Sequence, residues 1–590
     1  MPERNAARRK APPEGRVDLT TSDAPPRPKW PDRLGPACGS EPLPPPWKAR
    51  CRTPSTRPEC GTTNLGASRA PVRARGSAFT RSGAACMRGA SATASRGVLV
   101  GIDLGTTALK AAAFEAGDGT ALAVASQRLP VHVESDGTRE QTSEAICQAL
   151  KDVGATLKAR LGSRWREVRG VGLGAQGGSG MIVDRDTGTA HTPMMLWNDS
   201  RAFRFLPEIA ARKDAAYWQY LAQRHGPGAG LARLHWLKQT RPELFTERRL
   251  YAGAGEYVYF LLTGAWRQDA CNALQIGCYH VPENRLDADP LAVVGVPLSF
   301  VAPLRSGHET HALSANGGTL LDLAPGIPVA GPYMDHEAGY LSAARISARP
   351  LQCSLGTAWV GNFLISDLRA GASPLQLVIG SPLGKGHLVI QPLLAGNVAW
   401  DWGLQNLVDP DHAAALAKLD GIFAERLLPP DGLVAVPWLT QANPWGPGVL
   451  GGGTFSGVSA HTSKSDLLRA LAAGLAWEFA RVFRDVRDRG LVDSVVLGGG
   501  ASKGRFFRDM FAALFAPLPV FTLADEELAG ARGALFAFNP DTAGARPIPV
   551  PVATAPVADA VRQGFDRYCA WFDKLYADVK AGEPFRVAVP

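Results

Sequence analysis

Three glycine-centred segments and two aspartates stand out in this chain of 590 residues as groups able to do chemistry. Asp103-Leu104-Gly105-Thr106-Thr107 follows an apolar run, and Leu355-Gly356-Thr357-Ala358 follows a similar run 251 residues later. Gly498-Gly499-Gly500-Ala501-Ser502 lies between a strand pattern and a helix pattern. Glycine lets backbone N–H groups approach an anion closely, and threonine adds a hydroxyl donor. Such turns suit the phosphates and base of a nucleotide. Any one of them alone also reads as an ordinary hairpin, and it is their order and spacing that favour the nucleotide. Asp103, at its strand end, is placed to hold Mg2+ through water near those phosphates. Asp335 lies in AGPYMDHEAGYL (330–341), where the residues by themselves describe a cap on a helix starting near Glu337.

The elements that must position these residues follow from periodicity. Residues 97–103, 108–114 and 121–128 read as a three-strand meander with a Gly-Asp-Gly turn at 117–119. A helix is expected over 143–161 and a buried strand over 168–173. The pattern strand, Gly-Thr turn, strand then recurs over 351–365, which suggests two domains on one plan. A helix from about Asp466 to Arg489, with Ser465 as N-cap and Gly490 as stop, carries the stripe Leu468, Leu471, Leu475, Phe479, Val482 and Val486. A strand at 494–497, a helix bearing Phe506, Phe507, Met510, Phe511 and Leu514, and a last helix over 557–579 complete the body.

Composition divides the chain. Of 63 Lys+Arg and 54 Asp+Glu, the first 96 residues hold 18 and 7, so the net charge of +9 arises there and the body is nearly neutral. The same stretch holds 15 of the 46 prolines and shows no hydrophobic periodicity. It buries too little to offset the entropy of ordering. An unstructured extension, or a start assigned too early with Met87 as the next methionine, describes it better than a transit peptide, whose acid-poor helix the leader lacks. A basic nucleic-acid arm would interleave more aromatics than Trp30, Trp47 and Phe79, so no nucleic-acid partner is expected. No apolar run reaches 18 residues, and no membrane partner is expected. The body's cysteines (Cys147, Cys271, Cys278, Cys353, Cys569) form no CxxC pair, which points away from zinc and disulfides and towards a cytoplasmic setting.

Taken together, these motifs resemble the FGGY carbohydrate kinase family, which shares its ATPase core with actin and hexokinase. GIDLGTTALKAAAF (101–114) and CSLGTAWVGNF (353–363) match the family's two phosphate motifs, and VVLGGGASKGRFFRDMFA (495–512) matches its adenosine motif. MLWNDSRA (195–202) is most similar to the xylulokinase branch. The resemblance implies an α/β fold of two ribonuclease-H-like domains around a cleft. The expected division is a sugar-binding domain over 97–345, an ATP-binding domain over 346–545, and a C-terminal helix and tail over 546–590. It implies ATP held by Thr106, Thr107, Gly356, Thr357, Gly498, Gly499, Gly500, Ala501 and Ser502, and Mg2+ near Asp103. Asp335 matches the family's catalytic aspartate, the general base that takes the acceptor's proton. The acceptor, a ketose such as xylulose or a related polyol, would meet Gln176, Gly177, Gly178, Trp197, Asn198, Asp199 and His336. For Trp197 to Asp199 a buried turn with Asp199 paired to Arg201 is an equal reading. The oligomeric state is open, a homodimer included.

The chain also departs from the pattern. Gln176-Gly177-Gly178-Ser179 stands where xylulokinases carry Gln-Met-His-Gly, so two side chains are missing. Thr440 to Pro444 lacks a common Glu-Arg pair, Ala473 replaces an acid, and Arg233 replaces a common lysine, changes expected to touch folding and the domain interface. The alternative is an ATP-binding pseudokinase that lost transfer with its sugar contacts.

Overall fold

A computed structural model describes residues 97–224, 226–368, 377–393, 395–439 and 453–577. The leader 1–96, the segment Thr440 to Pro444 and residues 578–590, including the last two positions expected for the final helix, lie outside the described residues. All described residues belong to one compact unit, Arg81–Pro590.

The first sheet is built on β1 (Val98–Leu104), whose residues are buried apart from half-exposed Asp103. A strand apolar on both faces belongs in the middle of a covered sheet. It pairs antiparallel with β2 (Ala108–Glu115), which pairs antiparallel with β3 (Ala121–Arg128). On its other side β1 runs parallel to β4 (Val168–Ala175), and β4 runs parallel to β5 (Pro328–Met334). Helix α1 (Ser143–Leu161) crosses between them, capped by the Thr142 hydroxyl, which accepts the Ala145 N–H at 3.2 Å. Its face Ile146, Leu150, Val153 and Leu157 is buried. Helix α2 (Asp335–Ala343) follows β5 directly.

The second sheet repeats this order. β6 (Pro350–Leu355) pairs antiparallel with β7 (Trp359–Ile365), and β7 with β8 (His387–Pro392). After helix α3 (Lys464–Val482), β9 (Ser494–Gly498) runs parallel to β6, and after α4 (Arg505–Leu514), β10 (Val520–Leu523) runs parallel to β9. Each sheet therefore has an antiparallel meander on one side of its first strand and parallel strands on the other. This is the actin- and hexokinase-type arrangement that the resemblance implies, and the repeated turn marks its two halves.

Helix α5 (Ala529–Gly533) joins the two halves. A Cβ on Gly101 of β1 would stand 1.9 Å from the Ala531 carbonyl oxygen, and one on Gly533 would stand 1.8 Å from that of Ala338 in α2. Only glycine permits these backbones to touch.

Three boundaries differ from expectation. The long helix is two, α3 and Arg484–Asp488, broken at Phe483. Its N-cap is Ser463 rather than Ser465, because only Ser463 has an acid three residues on: Asp466 N–H donates to Ser463 Oγ and the Asp466 carboxylate accepts the Ser463 N–H, both at 3.1 Å. The final helix, α6, spans Ala555–Ala577 and buries Val561, Phe565, Tyr568 and Phe572.

Candidate active site

The carboxyl ends of the parallel strands align the candidate residues. Leu104 of β1 and Met334 of β5 both sit level with Ala175 of β4. Asp103, Gln176 and Asp335 therefore emerge at one edge of one sheet, where open α/β sheets place their ligands. In the second sheet Ser354 is level with Gly498, which brings the Gly356-Thr357 turn beside the 498–502 loop. Thr357 is exposed, and nothing lies within 4 Å of where a Gly356 Cβ would be. Asn397, which the sequence did not single out, braces the turn: its N–H donates to the Gly356 carbonyl at 3.1 Å and its Nδ2 to that of Leu355 at 3.3 Å. Gly499, at φ 91°, lies against the Leu355 backbone. Ser502 Oγ is within hydrogen-bond reach of the Gly499 carbonyl (2.8 Å) and of the Glu526 carboxyl, and so ties the loop down.

Asp103 and Asp335 act on one another. Burial and the negative charge of Asp335 push the Asp103 carboxyl up to about 6, with Lys110 opposing. Asp103 Oδ2 also lies 2.5 Å from where a Cβ on Gly530 of α5 would stand. Asp335 is half-buried at the start of α2, where its Oδ1 accepts the His336 N–H at 2.8 Å. The His336 ring lies 3.5 Å from Asn362 Nδ2 on β7, in the second sheet. Nearby Asp269 is raised to about 6, and Glu256 and Glu337 to about 8, in each case chiefly by burial.

The loops that carry the expected acceptor contacts form a connected network. Thr106 Oγ1 donates to Gln176 Oε1 (3.0 Å) and accepts the Trp197 indole N–H (3.1 Å). Ser179 Oγ donates to the same Gln176 oxygen (3.1 Å) and accepts the Trp197 backbone N–H (3.0 Å). Thr106 thus faces the 176–179 loop, while Thr107 is exposed. The Gly178 N–H donates to Asn272 Oδ1 at 3.1 Å, and Asn272 Nδ2 donates to Glu256 Oε1 at 2.5 Å. Trp197, 43% exposed, and exposed Asn198 are open to a ligand. Asp199 is 1% exposed, accepts from Arg201 Nη2 at 2.7 Å and from the Arg139 N–H at 3.0 Å, and so anchors the turn.

Arg233 lies beneath both loops. At 1% exposure it donates to the carbonyls of Gly178, Leu196 (2.6 Å), Trp197 (2.8 Å) and Asp199 (3.4 Å). The sequence marked it as a departure but assigned it to folding and the domain interface. Gln275 was missed altogether. The space left by the two absent side chains is not empty: a Cβ on Gly177 would stand 2.5 Å from Gln275 Nε2, and one on Gly178 would stand 2.0 Å from its Oε1.

Residues 98–342 match the FGGY family of carbohydrate kinases, N-terminal domain. The chain carries an FGGY carbohydrate kinase N-terminal domain over these residues. It is 23% identical over 420 residues to a xylulose kinase of Bacillus subtilis (strain 168), covering 71% of this chain and 83% of that one. A gluconokinase of the same organism is 22% identical over 436 residues, covering 71% and 82%. Among solved structures, a xylulose kinase from Rhodospirillum rubrum shares the fold with a TM-score of 0.71 at 24% identity, over 81% of this chain and 99% of that one. This kinase therefore lies near relatives that bear the names of different acceptors. Among its described residues no helix is long and apolar enough to cross a membrane.

The donor set suits the ligands of such a kinase. Mg2+ takes hard oxygens from one or two carboxylates, with phosphate and water completing the shell. Asp103 and Asp335 offer that pair; the Asp103 carboxyl is raised first by burial and then by the Asp335 charge, and a cation between them would relieve that second effect.

Proposed function

We propose that this kinase transfers the γ-phosphoryl group of ATP to a hydroxyl of a neutral sugar or polyol, with a ketose such as xylulose as the first candidate. The observation that carries the reading is the alignment of Asp103, Gln176 and Asp335 at the ends of three adjacent parallel strands. ATP would be held by Gly356, Thr357 and the 498–502 loop, with Thr107 reaching its phosphates from the first sheet, while Thr106 would brace the 176–179 loop and Trp197 instead. Asp335 would orient the acceptor hydroxyl and accept its proton as the new O–P bond forms and the bond to ADP breaks, late in a loose transition state. Mg2+, held by Asp103 with Asp335 nearby, would supply charge neutralisation on the phosphates. Gln176, Trp197 and Asn198 would contact the acceptor. Asp199 and Arg233 would hold the loops that carry them.

An ADP-release assay across pentuloses, hexuloses, heptuloses, polyols and aldonates tests this reading. Turnover of at least one neutral acceptor is expected. Purified protein that binds ATP but phosphorylates none of them would refute it.

A further inference from the structure

The Gly177-Gly178 pair and Gln275 occupy one another's space. Gln275 sits on the helix Ala270–Ile276, the helix that also bears Asn272, whose Oδ1 accepts the Gly178 N–H. From there its amide lies over both glycines, at the distances given above. Met334, the residue before Asp335, closes the other side of the Gly177 position, with its Cγ 3.0 Å from where a Cβ would be. The Trp197 Cβ stands 3.4 Å from the Gly178 position. The amide is thus wedged between the 176–179 loop, Trp197 and the residue that leads into Asp335.

That amide is poorly used by the protein. Its one hydrogen-bond partner among the described residues is Cys271 Sγ, 3.7 Å from Nε2, a weak acceptor. Gln275 is only half-buried. Beside it Gln176 is 4% exposed, and its Nε2 is buried with no partner among the described residues. Two amide groups with unspent donors therefore flank a pair of glycines. Buried polar groups normally find partners, and an amide offers both a donor pair and an acceptor to neutral hydroxyl or carbonyl oxygens.

We propose that Gln275 is a specificity-determining residue of this kinase: its amide takes the place of the side chains absent at 177 and 178 and reads a hydroxyl or carbonyl of the acceptor, together with Gln176 Nε2. This rests on the reading of the site as the acceptor site of a sugar kinase. The two glycines are what make room for it.

The test compares wild type, Gln275→Met, Gly177→Ala, and the double variant Gly177→Ala/Gln275→Ala, on the best acceptor from the screen and on its epimers. Gln275→Met keeps the volume and removes the hydrogen bonds. It should lower acceptor kcat/KM by roughly 3- to 12-fold and flatten the preference among epimers, with the KM for ATP and the thermal midpoint nearly unchanged. At Gly177 the backbone is free of positive φ, so alanine there acts by displacing the amide. Its effect should match that of Gln275→Met, and the double variant should add little to it. Unchanged acceptor kcat/KM and epimer preference in folded Gln275→Met would overturn the proposal while leaving the kinase reading intact. Additive losses in the double variant would also overturn it, since the two positions would then act independently. A wild type that turns over no acceptor would overturn both.

Discussion

Replacing Arg233 by methionine removes four hydrogen bonds but little volume. The Leu196 carbonyl keeps a partner, because it also accepts the Asp199 N–H at 2.9 Å. The Asp199 carbonyl, at 3.4 Å, loses little. The main loss falls on Gly178 and Trp197, whose carbonyls take Arg233 as their donor. A buried carbonyl left unpaired costs about 1–3 kcal/mol, so two cost about 2–6 kcal/mol. Part of this is offset, because the guanidinium makes no carboxylate contact among the described residues and is expensive to bury. A net loss of about 2–4 kcal/mol is expected. Because both carbonyls belong to loops proposed to meet the acceptor, the loss should appear in catalysis more than in global stability. About 2 kcal/mol of misplacement corresponds to roughly a 30-fold fall in acceptor kcat/KM. Arg233→Lys should fall between, since one ammonium cannot span four carbonyls as a planar fork does. Steady-state kinetics with acceptor and ATP varied in turn, alongside thermal melts, measure this. Equal damage to both KM values, or no change in either, would refute the positioning role.

Three further outcomes are expected. Asp335→Ala should abolish transfer yet leave ATP affinity, measured by calorimetry, nearly intact; loss of both would mean the residue does not serve the acceptor. Gly530→Ala puts a methyl group 2.5 Å from Asp103 Oδ2 and should lower kcat severalfold while costing about 1–3 kcal/mol of stability, read from kinetics and urea unfolding; full activity would show that the Asp103 carboxylate can move freely. Glu337, raised from 4.5 to about 8 by burial, holds its proton in the folded state where the unfolded chain has lost it. Its contribution is fully present below about pH 4.5 and is lost as pH rises to about 8, at up to about 1.4 kcal/mol per pH unit. Glu337→Gln should flatten that part of the melting-temperature profile, although Glu256, shifted the same way, preserves some slope. Parallel profiles for wild type and variant would exclude Glu337 as a source.

Much of the frame was legible along the chain. The meander 98–128, helix α1, strand β7 and the buried face of α4 are local: each needs only a repeating apolar pattern, a turn residue and a cap, all within a few residues of one another. The repeated Gly-Thr turn disclosed the two-sheet plan for the same reason. The partners of each side chain were not legible in this way. Asp199 as a sugar ligand or an anchor was an even choice, and it is the fold that brings the Arg139 N–H to its carboxylate. Thr106 reads as a phosphate contact in its own turn, yet its hydroxyl reaches Gln176 and Trp197, 70 and 91 residues away.

The sequence by itself determined the turns, the acids and the strands that end in them, because those depend on neighbours in the chain. Only the tertiary structure decided what stands beside the two glycines at 177 and 178. They read as a loss until a glutamine from a helix some hundred residues downstream is seen to fill their place. Excluded volume acts between atoms that are close in space, and a one-dimensional pattern carries no record of which distant side chain a missing one has made room for.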